Sequence, residues 1–241
     1  MKNKRYFLNL LLLGVASFMS SSIYAISIDS MFKFADADHN SYFTITNESD
    51  DRLYMNTSVS EIKVVDGELE KTPYTRDNLM DWYIGVRPAK TIIDGKFKKD
   101  FKISTLCEDC TVESDRVFQI SFLPTPYTTG LDKPENSINV AVGLGPVVIL
   151  PGKEKPIKLL TKYADNTILF KNNGDSVVKL TLTAQACEEK EGESCSYPIT
   201  VLSGRLFKFD VPKSMQNLDI DAKAVTAFNK YESSFRVKQG E

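Results

Sequence analysis

The 241-residue chain is poor in the residues that most enzymes rely on: it has one histidine, His39, and only four cysteines. A single imidazole rules out most familiar acid–base and metal-binding designs. The patterns G-x-S-x-G, H-E-x-x-H and G-x-G-x-x-G are absent, as is a P-loop, so neither a nucleophile elbow nor a phosphate-cradling loop is encoded. No enzyme, cofactor or metal centre is expected. An excess of positive charge is missing too, since 30 Lys and Arg face 32 Asp and Glu, and nucleic acid is therefore not an expected partner. Long apolar runs are also scarce. The longest, Tyr6–Met19, falls short of the roughly 20 residues a membrane span needs.

That run belongs to a recognisable leader. Met1-Lys2-Asn3-Lys4-Arg5 is basic, Tyr6–Met19 is apolar, and Ser20–Ala25 ends in a small residue, which is the layout of a secretory signal peptide cut after Ala25. Removing residues 1–25 leaves about 216 residues with 27 basic against 32 acidic side chains, a length that suits one large or two ordinary β domains. An exported, soluble protein without a membrane span is expected.

Export gives the cysteines their first meaning, because an oxidising compartment favours disulfides. Cys187 and Cys195 flank a polar segment containing Gly192, as in a hairpin loop stapled at its neck. Cys107 and Cys110 form C-x-x-C, read first as a local loop disulfide, with a redox motif or half a zinc site as alternatives. Zinc would need two more ligands, and a redox dithiol normally opens a helix that this region does not suggest. His39 lies in the polar turn Asp36-Ala37-Asp38-His39-Asn40 and is expected to face solvent. The Asp36, Asp38 and Asn40 spacing opens like a calcium loop, but the glycine and closing glutamate are missing.

From residue 26 onward apolar residues recur at every second position in short runs bounded by turn residues, so strands dominate. The expected strands are Ile26–Phe34, Ser41–Asn47, Leu53–Val65, Tyr83–Arg87, Lys98–Ser104, Arg116–Pro124, Ser137–Leu150, Ile157–Tyr163, Thr167–Asn172, Val177–Gln185, Tyr197–Leu202 and Arg205–Val211. Val65-Asp66-Gly67, Asp94-Gly95, Asn172-Asn173-Gly174-Asp175 and Leu202-Ser203-Gly204 supply the reversals. Pro151-Gly152-Lys153-Glu154-Lys155-Pro156 separates the strands into two groups, as in a pair of immunoglobulin-like β-sandwiches, residues 26–150 and 151–241.

One segment stands out. Ser137–Pro151 begins with strict alternation, placing Ile138, Val140, Val142 and Leu144 on one side and Asn139, Ala141, Gly143 and Gly145 on the other. Val147–Leu150 is continuously apolar, as in a strand buried on both faces. The first half is either an ordinary core strand or one whose side chains enter a partner's groove while its backbone completes the partner's sheet.

This order of elements resembles the periplasmic chaperones of chaperone–usher pili. Tyr42–Asn47 leading to Leu53-Tyr54, Arg87–Gly95 and Arg116–Phe122 look like successive stretches of their first domain. Ile168–Gly174, Cys187 to Cys195, and Leu202–Phe207 are similar to the second domain of the common-pilus and CS1-type branch. The resemblance implies donor-strand complementation: Ile138, Val140, Val142 and Leu144 fill the groove of an incomplete pilus subunit until an outer-membrane usher exchanges them for another subunit's extension. The main branch also anchors the subunit's terminal carboxylate with two basic residues, one on the first strand and one late in the donor strand. Here Ile138–Leu150 has no basic residue, so Lys33 and Arg116, with Lys171 behind them, are the candidate anchors. A fimbrial subunit or adhesin with the same fold is the alternative; such a subunit would carry an exchangeable N-terminal extension and lack a strand.

Overall fold

The computed structural model describes residues 26–106, 113–127, 142–185, 187 and 194–240. Ten strands occupy the first part of the chain: β1 (Ile26–Ile28), β2 (Phe32–Phe34), β3 (Ser41–Asn47), β4 (Leu53–Val65), β5 (Glu68–Pro73), β6 (Ile84–Arg87), β7 (Lys90–Ile93), β8 (Lys98–Thr105), β9 (Arg116–Pro126) and β10 (Val147–Leu150). They make a four-stranded sheet in the order β1-β3-β8-β6 and a second sheet in the order β2-β10-β9-β4-β5, with β7 on the first half of β4. The alternation seen in the sequence becomes a core between the two sheets. Phe43, Ile45, Phe101 and Ile103 come from one sheet, and Phe118, Ile120, Phe122 and Val148 from the other.

Seven further strands follow: β11 (Leu159–Ala164), β12 (Thr167–Asn172), β13 (Val178–Ala184), β14 (Ser196–Val201), β15 (Leu206–Asp210), β16 (Ile220–Val225) and β17 (Glu232–Val237). They pair as β11-β12-β15 and β14-β13-β16-β17 around a separate core that includes Tyr163, Ile168, Phe170, Leu180, Leu182 and Ile220. The fold is all-β, in two sandwiches. Cys187 and Cys195 are disulfide-bonded across the connection from β13 to β14, as expected; Cys107 and Cys110 lie outside the described residues.

The strand assignments need three corrections. Ile26–Phe34 is not one strand but two, β1 and β2, which join different sheets. The switch occurs at Asp29 and Ser30, where Asp29 exchanges backbone and side-chain hydrogen bonds with Thr44, and Ser30 Oγ donates to the Phe32 carbonyl at 2.7 Å. Ser137–Leu150 does not run as one regular strand either. Among the described residues only Val147–Leu150 is regular, because Pro146 has no N–H to give the ladder. Finally β5, β7, β16 and β17 were not expected. All six residues of β5 are exposed, so it has no buried face to write an alternation, and in β16 the inward Ala222 and Ala224 are too small to mark one.

Each sandwich uses one buried asparagine to lock a turn. Asn47, fully buried at the end of β3, donates from Nδ2 to the carbonyls of Asp51, Ile93 and Asp94 at 2.7, 3.1 and 3.2 Å. Its Oδ1 accepts the N–H and hydroxyl of Ser49. Asn172, at the end of β12, donates to Ser176 and Val201 carbonyls and accepts the Gly174 N–H. A primary amide suits both places because it offers donors and an acceptor from one small group. His39 lies in its expected turn at φ 58°, partly buried, with no hydrogen-bond partner at Nδ1.

Candidate functional site

Of the alternating segment, Ile138 and Val140 lie outside the described residues, while Val142 and Leu144 can be placed. Val142 is 64% exposed, whereas Leu144 packs against the first core and bridges Phe122 on β9. The Phe122 N–H donates to the Leu144 carbonyl at 2.8 Å, and the Leu144 N–H returns to Phe122 at 3.0 Å. Pairing with β9 continues through the Pro146 carbonyl, which accepts the Ile120 N–H at 2.9 Å, into β10.

The glycines of this segment answer to close approach. A Cβ at Gly143 would lie 2.8 Å from Leu123 Cδ2 and 3.1 Å from the Phe122 carbonyl, and one at Gly145 would lie 2.8 Å from Gln119 Nε2. On the other edge, β2 runs parallel to β10 and covers only Val147, Val148 and Ile149. Among the described residues, then, residues 144–146 pair with β9 on one side and have no strand on the other. Leu144 bonds to β9, so alternation turns the main-chain groups of Gly143 toward the open edge.

Below this edge the outer face of the β2-β10-β9-β4-β5 sheet meets the second sandwich. Ile62, Val117 and Ile149 pack with Val177, and Phe34, Val147 and Leu202 flank them. Beside this apolar contact, a cleft of about 480 Å³ is lined by residues of β4, of β9 and the turn before it, and by Val177, Leu202 and Ser203.

Of the three candidate anchors, Arg116 alone lines that cleft. Its Nε and Nη2 donate to Oε1 of the buried Glu61 at 2.9 and 2.6 Å, and its guanidinium lies 3.9 Å from the centre of the Tyr83 ring. Lys63 approaches the other Glu61 oxygen at 3.7 Å, so two cations flank one carboxylate at the rim. Lys33 is engaged within its own sandwich, donating at 2.5 Å to both Asp29 and the Tyr42 carbonyl. Against the desolvation that burial imposes, the Lys33 hydrogen bond and the Thr44 N–H hold the Asp29 carboxyl below its usual range. Lys171 stands on the exposed face of the β11-β12-β15 sheet, between Leu160 and Leu206.

Two groups at the junction escape a reading of the sequence. Lys179 of β13 places Nζ 5.3 Å from the Phe34 ring centre while donating to the Ala227 carbonyl at 2.9 Å. Asp115, just before β9, accepts the Gly152 N–H on one oxygen and the Val177 N–H on the other; burial pushes its pKa up, opposed by those two hydrogen bonds. Neither belongs to a linear motif. Farther out, Arg205 Nη1 donates to the Gly67 carbonyl and to Glu68, tying the β4–β5 turn to the second sandwich.

Among the described residues no group of His, Cys, Asp and Glu is arranged to hold a metal ion, and no helix is long and apolar enough to cross a membrane.

Comparison with known proteins completes the picture. The family model for the CS5 fimbrial protein N-terminal domain matches residues 28–151. Solved structures of similar fold include a chain of the Salmonella enterica SafA pilin–SafB chaperone complex, 14% identical, with a TM-score of 0.55 and coverage of 90% of this chain and 97% of that one. A chain of the Acinetobacter baumannii CsuC–CsuE chaperone–tip subunit complex is 11% identical, with a TM-score of 0.53 and coverage of 90% and 100%. The class 5 fimbriae chaperone CfaA is 12% identical, with a TM-score of 0.52 and coverage of 89% and 99%. At these identities the likeness is one of fold. No curated protein sequence matches the chain.

Proposed function

Since the chain belongs to the family of the CS5 fimbrial protein N-terminal domain, we propose that it is a periplasmic chaperone that holds fimbrial subunits by donor-strand complementation and passes them to an outer-membrane usher. The observation that carries this reading is the segment at residues 144–146, paired with β9 on one edge and, among the described residues, with no strand on the other, with Val142 exposed beside it. An unpaired edge of this kind recruits another strand. A subunit lacking a strand supplies that partner, and alternating side chains entering its groove add apolar burial to main-chain hydrogen bonds.

Donor side chains Ile138, Val140, Val142 and Leu144 have graded roles in this reading. Leu144 roots the strand in its own core, and Val142 and the residues before it reach the subunit. A subunit's terminal carboxylate is received in the cleft by Arg116 and Lys63, displacing or sharing the Glu61 carboxylate, with Lys179 as a further cation beside Phe34. Lys33 and Lys171 are less suited, the first engaged elsewhere and the second on an outer face. No catalytic step is part of this function.

The test is co-expression with a fimbrial subunit from the same organism. Changing Val140 and Val142 to Asp is expected to abolish subunit recovery from the periplasm while leaving the chaperone folded. Undiminished recovery would refute the donor-strand role.

A further inference from the structure

Pro151–Pro156 reads in the sequence as the boundary between the two groups of strands, and its backbone and side chains are pinned at intervals. Gly152 N–H donates to Asp115 Oδ1 at 2.6 Å, Lys155 N–H donates to the buried Ser176 hydroxyl at 2.9 Å, and Glu154 accepts the Phe228 N–H at 2.8 Å. The second oxygen of Asp115 accepts the Val177 N–H at 2.5 Å, one residue before β13. A single carboxylate thus touches the first sandwich, the connector and the second sandwich together.

We propose that Asp115 is the positioning residue that fixes the angle between the two sandwiches, and with it the shape of the cleft beneath the open strand. Its importance for the cleft rests on the subunit-binding reading; its control of the angle does not. The apolar contact of Ile62, Val117, Ile149 and Val177 resists separation but is non-directional, so it tolerates rotation. Two charge-assisted hydrogen bonds donated by main-chain N–H groups to the diverging oxygens of Asp115 do not. The outlying tie at the β4–β5 turn, where Arg205 and the Leu206 N–H bond the Gly67 carbonyl and Arg205 meets the exposed Glu68, ends on a surface turn rather than on a sheet or the connector. An asparagine at 115 would turn an NH₂ against one of the two N–H donors, and an alanine would leave both without an acceptor.

Residual dipolar couplings on the isotope-labelled chain of residues 26–241 test the angle directly, with Asp115→Ala, Asp115→Asn and Arg205→Ala compared with the parent. The parent and Arg205→Ala are expected to fit one alignment frame for both sandwiches. Asp115→Ala is expected to require two, with the couplings of one sandwich reduced relative to the other, and Asp115→Asn to fall between. Native chemical shifts in both cores establish that each variant is folded. A single unchanged frame in Asp115→Ala would overturn the proposal. With a co-expressed fimbrial subunit, a loosened Asp115→Ala joint should also lower subunit recovery, and equal recovery would overturn the link to the cleft. If the parent itself recovers no subunit, the chaperone reading fails while the couplings still decide the role of Asp115.

Discussion

Replacing Asn47 with alanine isolates what one buried amide does for the first sandwich. The side chain is fully buried and makes three hydrogen bonds to carbonyls and accepts two from Ser49. Some of these partners lie near the surface and will rehydrate, but the Ile93 carbonyl is buried with its donor. Counting roughly two groups left without partners at about 1–3 kcal/mol each, the cost comes to about 3 kcal/mol. The single tryptophan supplies the assay. Trp82 stacks on Tyr74, with ring centres 5.1 Å apart, and Tyr74 packs on the first core, so its fluorescence follows that sandwich. With a guanidinium slope of about 4 kcal/mol/M, the Trp82 transition should fall by about 0.7 M. Asn172→Ala should lower the circular-dichroism transition of the second sandwich instead. Asn47→Asp is a sharper control: its carboxylate would face carbonyls, its pKa would rise, and its stability should recover in acid. A shift below about 0.2 M in Asn47→Ala would refute the clamp.

Burial raises the pKa of Asp115 above its unfolded value, so the folded chain binds this proton more tightly than the unfolded chain does. Its contribution to stability is therefore complete below the ordinary carboxylate range and is lost as pH rises through the folded pKa; the difference in unfolding free energy between parent and Asp115→Asn should show that slope, and a flat difference would contradict it. Arg116→Ala leaves the Glu61 carboxylate, 11% exposed, with Lys63 as its one ion-pair partner among the described residues, at an expected cost of about 2–4 kcal/mol. Adding Glu61→Gln should restore part of that loss, and denaturant unfolding of the two variants checks the coupling.

Much of the fold was legible because a strand buried on one face writes a period of two into the chain. Phe43 and Ile45 on β3, and Phe118, Ile120 and Phe122 on β9, are such positions, and all are fully buried. The turns at Gly67 and Gly204 were legible too, since their backbones adopt φ of 82° and 76°, where glycine is least strained. β5 was not legible, because a strand held mainly by its neighbour's backbone needs no apolar pattern of its own. In the candidate site, the alternation from Ile138 to Leu144 could be read, but not that Leu144 is rooted in the core while Val142 is exposed. Of the cations proposed for the cleft, Arg116 was named from the sequence and Lys63 and Lys179 were not, since neither carries a local signal that distinguishes it from other lysines.

By itself, the sequence determined a β-rich chain in two groups, a disulfide at Cys187 and Cys195, and one unusual alternating segment. All of these depend on residues near one another in the chain, where side-chain chemistry and period suffice. Only the tertiary structure decided that the first expected strand divides between two sheets, that residues 144–146 pair with β9 and, among the described residues, with no strand on their other edge, and that Asp115 joins the two sandwiches. The physical reason is that these features are made by main-chain groups. Phe34 and Ile149 pair, and Gly152 and Val177 reach Asp115, through main-chain groups that nearly every residue carries, so which of them meet is settled by packing across the whole molecule.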